Sequence, residues 1–346
     1  MSIDLASTGS GTWTEPGAFE VAPGVHRVPL PLPNDGLRAV NVYVVQTPRG
    51  LVLVDAGWSI PESRVLLEQA LASLDASLAD VERFLVTHVH RDHYTQAVAV
   101  RRDFGVRIGL GAGDRPNLES AQAGGPRSLG AQVTGLRRLG AGGLADEIMA
   151  LVEGHALDPT DWESPDEWLE PGPIALGDRT LEAVATPGHT AGHLVFHDVA
   201  GGLLFAGDHV LPTITPSIGF EPVLSPDPLG AFLQSLAVVR LRPDALLLPA
   251  HGDVAPSVHA RVDELLAFHE GRLASTAEAV AAGAHTPYDV ARRLGWTRRL
   301  RRFAELDPFN AMLATFETGA HLVLLSAQGH LTRSVVDGVD HYTSAL

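Results

Sequence analysis

Two hydrophobic periods divide the chain. Short apolar runs at 25–30, 40–46, 50–54, 83–87, 106–110, 180–185, 194–197, 203–206 and 245–248 predict strands, each bounded by polar residues, glycine or proline. Between them lie stretches with the spacing of a helix. Residues 61–74 place Val65, Leu66, Ala70 and Leu74 on one side, and 94–104 and 229–241 follow the same rule. The tight link between 40–46 and 50–54 predicts an antiparallel start to a sheet, with the proline-rich 29–33 as a loop before it. Strands alternating with helices predict an α/β protein, an αββα sandwich whose helices cover the outer faces.

The pattern breaks twice. From about 111 to 172 glycine, proline and charge dominate, with a short helical patch at 144–152. That is too long for an ordinary loop, so it is read as an insertion with its own helices and a lid over the site as its role. After about 270 a second unit is expected: a helix at 273–282, a helix capped by Thr286 and Pro287 that ends at Gly295, a long helix at 309–327 closed by Gly329, and a hairpin at 331–343 turning on Asp337 and Gly338. Three helices and a hairpin resemble a winged helix. The expected division is a flexible terminus at 1–20, a catalytic domain at 21–270 and a winged-helix-like domain at 271–346.

Composition narrows the setting. There is no cysteine, which removes disulfides and thiolate metal sites and fits a cytoplasmic protein. No signal peptide or membrane-length apolar run is visible. The formal net charge is −16, and all 25 fixed side-chain cations are arginine. A field of that sign disfavours nucleic acid and anionic membranes. The run Arg292, Arg293, Arg298, Arg299, Arg301 and Arg302 is the local exception, read as a docking surface in preference to a nucleic-acid patch.

The chemistry sits where strands end. His88-Val89-His90-Arg91-Asp92-His93 follows a buried strand and precedes a helix, gathering three imidazoles and a carboxylate on one turn. Imidazole and carboxylate suit zinc, and also iron or manganese. One tetrahedral ion cannot easily use all four, but two ions side by side can, with His88 and His90 facing one and Asp92 and His93 the other. The same grammar recurs at Asp55, at His189 and His193 in a glycine-rich turn, at Asp208, and at His251. Five strand ends of one layered sheet structure delivering metal-type side chains point to a shared rim.

Assembled, these residues resemble the metallo-β-lactamase superfamily of metallohydrolases, with a dinuclear site like that of glyoxalase II, over roughly 21–270. The resemblance implies that His88, His90 and His189 hold one divalent cation, that Asp92, His93 and His251 hold the other, and that Asp208 is shared. It implies that Asp55 and His193 stand behind the ligands, and that Asp92 also moves a proton. Gln96 stands where many members carry glycine, which is expected to alter the turn into the helix. His209 is read as solvated in preference to a pocket role, and Trp162 and Trp168 join it as candidates for substrate contact. Histidine at position 90, where the diiron oxidoreductase branch carries glutamate, favours hydrolysis at a zinc-type centre.

The function implied is hydrolysis of a small ester, thioester, lactone or lactam by a hydroxide bridging two metal ions. Two alternatives stay open: RNA phosphodiester cleavage, since a winged-helix-like tail follows the catalytic domain in an endoribonuclease branch, and a non-catalytic nucleic-acid-binding regulator. A homo-oligomer is compatible with the sequence.

Overall fold

The computed structural model describes residues 12–33, 36–123, 129–153, 158–297 and 300–345. Of the expected flexible terminus, residues 1–11 lie outside that description. Residues 12–20 are anchored: Trp13 O accepts a hydrogen bond from Arg27, and strand β1, Phe19–Ala22, pairs with β2, Val25–Pro31. Antiparallel pairing continues through β3, Ala39–Thr47, and β4, Gly50–Val54. Helix α1, Pro61–Ala72, then crosses to β5, Val81–Val86, which lies parallel to β4. Helix α2, Arg91–Phe104, leads to β6, Arg107–Gly111, parallel again.

The break at 111–172 resolves into three helices and a strand. Helix α3 is Arg115–Gln122, α4 is Gly130–Arg138 and α5 is Gly142–Val152. Strand β7, Glu167–Leu169, returns to the first sheet as its edge, parallel to β6. The second sheet runs β8, Gly172–Leu176, β9, Arg179–Ala185, β10, Leu194–Asp198, and β11, Leu203–Gly207, all antiparallel. Helix α6, Pro228–Arg240, crosses to β12, Leu246–Pro249, parallel to β11.

Strand periodicity explains the layering. In β4, Leu51 and Leu53 face the helices while Val52 and Val54 face the other sheet. Between the sheets, Val25, Tyr43, Val45 and Leu85 meet Leu181, Leu194, Phe196 and Phe205. Leu67 and Leu71 of α1 and Ala97 and Val98 of α2 cover the first sheet's outer face. Leu229, Phe232 and Leu236 of α6 cover the second with Val262 and Leu265. The outcome is the αββα arrangement expected, with its catalytic-type side chains at the strand ends.

The boundary expected at 270 falls inside a continuous helix. Helix α7 is Val258–Ala281, so its first half packs on the second sheet and its second half enters the C-terminal unit. Helix α8 is only Pro287–Ala291; it stops four residues before Gly295, which instead pairs in a two-residue ladder, β13, Gly295–Trp296, with β14, Arg301–Arg302. Arg298 and Arg299 lie outside the described residues. Helix α9, Pro308–Ala327, and the hairpin of β15, Leu331–Val336, and β16, Val339–Ser344, match expectation. Asp337 and Gly338 turn the hairpin with φ of 50° and 79°.

Helices α4 and α5 share one core with this unit. Val133, Leu136, Leu144 and Ile148 pack with Ala291, Met312, Phe316 and Tyr342. The insertion expected at 111–172 does carry helices of its own, and α4 and α5 pack with the C-terminal unit. Among the described residues no helix is long and apolar enough to cross a membrane.

Candidate metal centre

Two turns deliver the first cluster's nitrogens. His88 and His90 lie between β5 and α2, and His189 lies between β9 and β10. His88 Nε2 is 3.0 Å from His90 Nδ1, which is 3.1 Å from His189 Nε2. The second cluster joins Asp92 and His93, at the start of α2, to His251, just past β12. Asp92 Oδ2 lies 3.6 Å from His93 Nε2 and 3.5 Å from His251 Nε2. Nitrogens bound to one tetrahedral zinc sit roughly 3.3 Å apart, so both clusters have a spacing that fits ligands of one cation. Asp208, just past β11, joins them. Its Oδ1 lies 3.3 Å from His251 Nε2 and 3.7 Å from His93 Nε2, and its Oδ2 lies 3.5 Å from His189 Nε2.

The tautomers follow from what stands behind each ring. His93 Nδ1 meets Asp55 Oδ2 at 2.9 Å, His189 Nδ1 meets Ser217 O at 2.8 Å and His251 Nδ1 meets Ala39 O at 2.8 Å. Those oxygens can only accept, so each Nδ1 carries a proton and Nε2 is the nitrogen left facing inward. His88 obeys the same logic: the Thr87 hydroxyl donates to Asp55 and accepts from His88 Nδ1 at 3.1 Å. His93 Nε2, His251 Nε2 and Asp208 Oδ1 are buried with no hydrogen-bond partner. Buried polar atoms are rarely left so, and divalent cations would satisfy all three. The residues present fit the metal set.

Charge points the same way. Burial, with His93 and His90 close by, holds His88 well below the usual imidazole range. Burial also opposes charge on His93, but Asp55, Asp92 and Asp208 outweigh it and raise its pKa to about 10 while no cation is bound. A cation entering there takes the place of a proton. Only His90 and Asp92 of the seven are partly open to solvent, which marks the mouth.

Asp55 and His193 lie behind the two clusters. Asp55, at φ 60°, accepts from Thr87 N–H, the Thr87 hydroxyl and His93. His193 accepts the backbone N–H of Asp208 at 3.1 Å and is held through Thr186 at 2.8 Å, which sets the shared carboxylate. Gln96 leaves the start of α2 at Arg91 and donates to Ala56 O at 2.8 Å, tying the helix to the Asp55 turn.

Two expectations are corrected. His209 is not solvated: it is fully buried, edge-on to Phe232 at 5.1 Å, and burial lowers its pKa to about 3. Trp162 is a core residue packed with the α2 layer, with almost no surface to offer a substrate. Trp168 is half-buried on β7 with one face under the Arg115 guanidinium at 4.7 Å.

The sequence reading missed two buried acids. Asp114 accepts from Val89 N–H at 2.9 Å, the Thr190 hydroxyl at 3.1 Å and Gly192 N–H at 2.7 Å. Burial pushes its pKa up to about 6 and that of Glu221 to about 8. Glu221 accepts Ala191 N–H at 2.9 Å and an amide N–H of Asn117. Asp114 follows the end of β6, so the strand-end pattern that found Asp55 and Asp208 could have found it.

The sequence model described as Metallo-beta-lactamase superfamily matches residues 35–251. The chain is 25% identical over 238 residues to the lactamase-like protein nscB of Aspergillus fumigatus, covering 68% of this chain and 55% of that one. It is 25% identical over 232 residues to an atrochrysone carboxyl ACP thioesterase of the same organism, covering 67% of this chain and 42% of that one. The chain thus spans about half the length of these curated relatives. A crystal structure of a beta-lactamase domain protein from Burkholderia ambifaria superposes with a TM-score of 0.77 at 28% identity, covering 95% of this chain and 94% of that one.

Proposed function

The chain belongs to the metallo-beta-lactamase superfamily, and on that premise we propose that it is a hydrolase holding two divalent cations and cleaving a small ester or thioester, with lactones and lactams in the same class. One observation carries the reading. Asp208 turns one oxygen to each of two ligand clusters whose inward-facing atoms include three with no protein partner. We assign His88, His90 and His189 to one cation, Asp92, His93 and His251 to the other, and Asp208 to both. The nitrogen-rich first cluster favours zinc over iron or manganese.

Bound there, a cation pair would lower the pKa of a water between them and polarise the substrate carbonyl. The chain's own groups do the rest. Ser217 O, Ala39 O and Asp55 keep the lone pairs of His189, His251 and His93 aimed inward. Asp92, facing the mouth, is the group we assign to take the water's proton at its second oxygen and return it to the leaving group. The relative named as an ACP thioesterase supports placing thioesters first.

For the C-terminal unit we propose a packing role. Helix α9 buries residues on every side, leaving no face for a groove of nucleic acid. The described arginines of the basic run are partly engaged: Arg302 pairs with Glu305, Arg293 donates to Ala282 O and Arg292 lies over Tyr288. Phe316 and Ala320 of α9 back Gly219 in the loop whose Ser217 orients His189.

The test pairs metal content with turnover. Wild type should carry two equivalents and hydrolyse an acyl-coenzyme A or a nitrophenyl ester. His90→Ala should lose metal and turnover together while its circular dichroism stays native. Turnover surviving in metal-stripped protein would reject the reading. Steeply salt-dependent binding of single-stranded RNA would restore the nuclease alternative.

A further inference from the structure

We propose that Asp114, outside the ligand set, is the positioning residue that fixes the separation of the two turns forming the three-histidine cluster, and so sets that cluster's affinity for its cation. The inference rests on the two-cation reading above.

His90 and His189 are 99 positions apart and ride on turns of different sheets. The cluster therefore needs something to hold those turns in register. Asp114 lies at the end of the short turn after β6, between them. Its Oδ2 accepts Val89 N–H, between the two histidines of the first turn, and the Thr190 hydroxyl, next to His189. Its Oδ1 accepts Gly192 N–H on the second turn. One fully buried carboxylate thus grips both turns through three donors. All three are neutral, so no arginine or lysine offsets the cost of burying it, a cost expected only where the geometry is used.

The backbones meet as closely as chains can. A Cβ on Gly111 would stand 2.0 Å from Gly192 O, and one on Gly192 would stand 2.1 Å from Asp114 N. With that approach closed, a small change at Asp114 has no slack to absorb it. Glu221 adds a second grip on the same turn, accepting Ala191 N–H at 2.9 Å, and its other partner is Asn117 on α3, not the first turn. The turns also meet where Leu194 N–H donates to Thr87 O at 2.8 Å, but among the described residues outside the ligand set Asp114 is the side chain that bonds both turns near the histidines.

Asp114→Asn is the informative change. It keeps the shape, but one oxygen becomes an NH2 group that must face a backbone N–H, at Val89 or at Gly192. Cobalt(II) titration of the metal-stripped full chain, read by its visible absorption, separates the two equivalents. In wild type two should bind. In Asp114→Asn one equivalent should bind about 10- to 100-fold more weakly, with a changed spectrum, and the other as in wild type. Two equivalents of wild-type affinity and spectrum in the variant would overturn the inference and leave the two-cation reading standing. No uptake by wild type would sink that reading first. Should Asp114→Asn fail to fold, Thr190→Val removes one donor only. A several-fold weaker equivalent is then expected, and an unchanged one overturns the inference.

Discussion

His93 donates its Nδ1–H to Oδ2 of Asp55 at 2.9 Å, joining the first turn of α2 to the end of β4, 38 positions earlier. The bond fixes the ring's tautomer and its rotation at once. Asp55 holds a left-handed φ of 60°, a conformation that costs a non-glycine residue and tends to persist where function over-determines it.

Asp55→Asn should therefore weaken the cation of the Asp92, His93 and His251 cluster by about 10- to 100-fold and spare the three-histidine cluster. Equilibrium dialysis against graded free zinc, with metal counted in the protein, reads this. Both equivalents retained at wild-type affinity would count against Asp55 as the group that orients His93.

Gly188→Ala should damage the His189 turn from behind. Gly188 has φ +139°, and a Cβ there would lie 2.5 Å from Phe232 Cα and 2.6 Å from Phe232 N on α6. Backbone cannot swing aside as a side chain can. Overpacking of this kind costs about 2–3 kcal/mol. For a chain of this size that is a fall in Tm of about 3–4 °C by calorimetry. An unchanged Tm would show that α6 is free to shift.

His269 of α7 and His321 of α9 should make the protein acid-sensitive. They stack at 5.3 Å with Nδ1 to Nε2 at 3.2 Å, faced by Arg272 and by Glu317. Burial, helped by the neighbouring cations, lowers His269 to about 3 and His321 to about 4. A lowered folded-state pKa means the unfolded chain takes protons the folded one refuses. The stability concerned is fully present above pH 6.5 and is lost as pH falls towards 4. For His269 alone the loss at pH 4 is about 3 kcal/mol. His269→Phe should flatten the fall of Tm between pH 6.5 and 4, whatever its Tm at neutral pH. Parallel curves for variant and wild type would refute the assignment.

Much of this was legible before any coordinates. Most strands and helices of the sandwich stand within a few residues of where periodicity placed them, because a strand buried on both faces and a helix buried on one leave different apolar spacings; the short and half-exposed β1, β7 and β8 were not foreseen. The hairpin at 331–344 was equally plain, since Asp337 and Gly338 suit the left-handed turn they adopt. The seven chemistry-bearing side chains that the sequence singled out lie close together in three overlapping groups. Other readings failed where a local pattern has two outcomes. His209 follows a strand in the manner of a loop residue, yet the ring of Phe232 from a helix 23 positions later lies over it. Trp162 sits in an acidic stretch that resembles surface, yet its side chain inserts beneath α2. The glycine-rich break at 111–172 gave no sign that α4 and α5 would find their core in a tail more than a hundred residues downstream.

The division has a physical cause. Local sequence determined the elements, their turns and the kinds of ligand each strand end carries, because those depend on backbone preference and on neighbours a few residues away. Tertiary structure alone decided which oxygen of Asp208 faces which histidine, that α7 runs unbroken through 270, and that Asp114 binds two turns together. Such relations depend on distances between residues far apart in the chain, set only when the sheets and helices have packed.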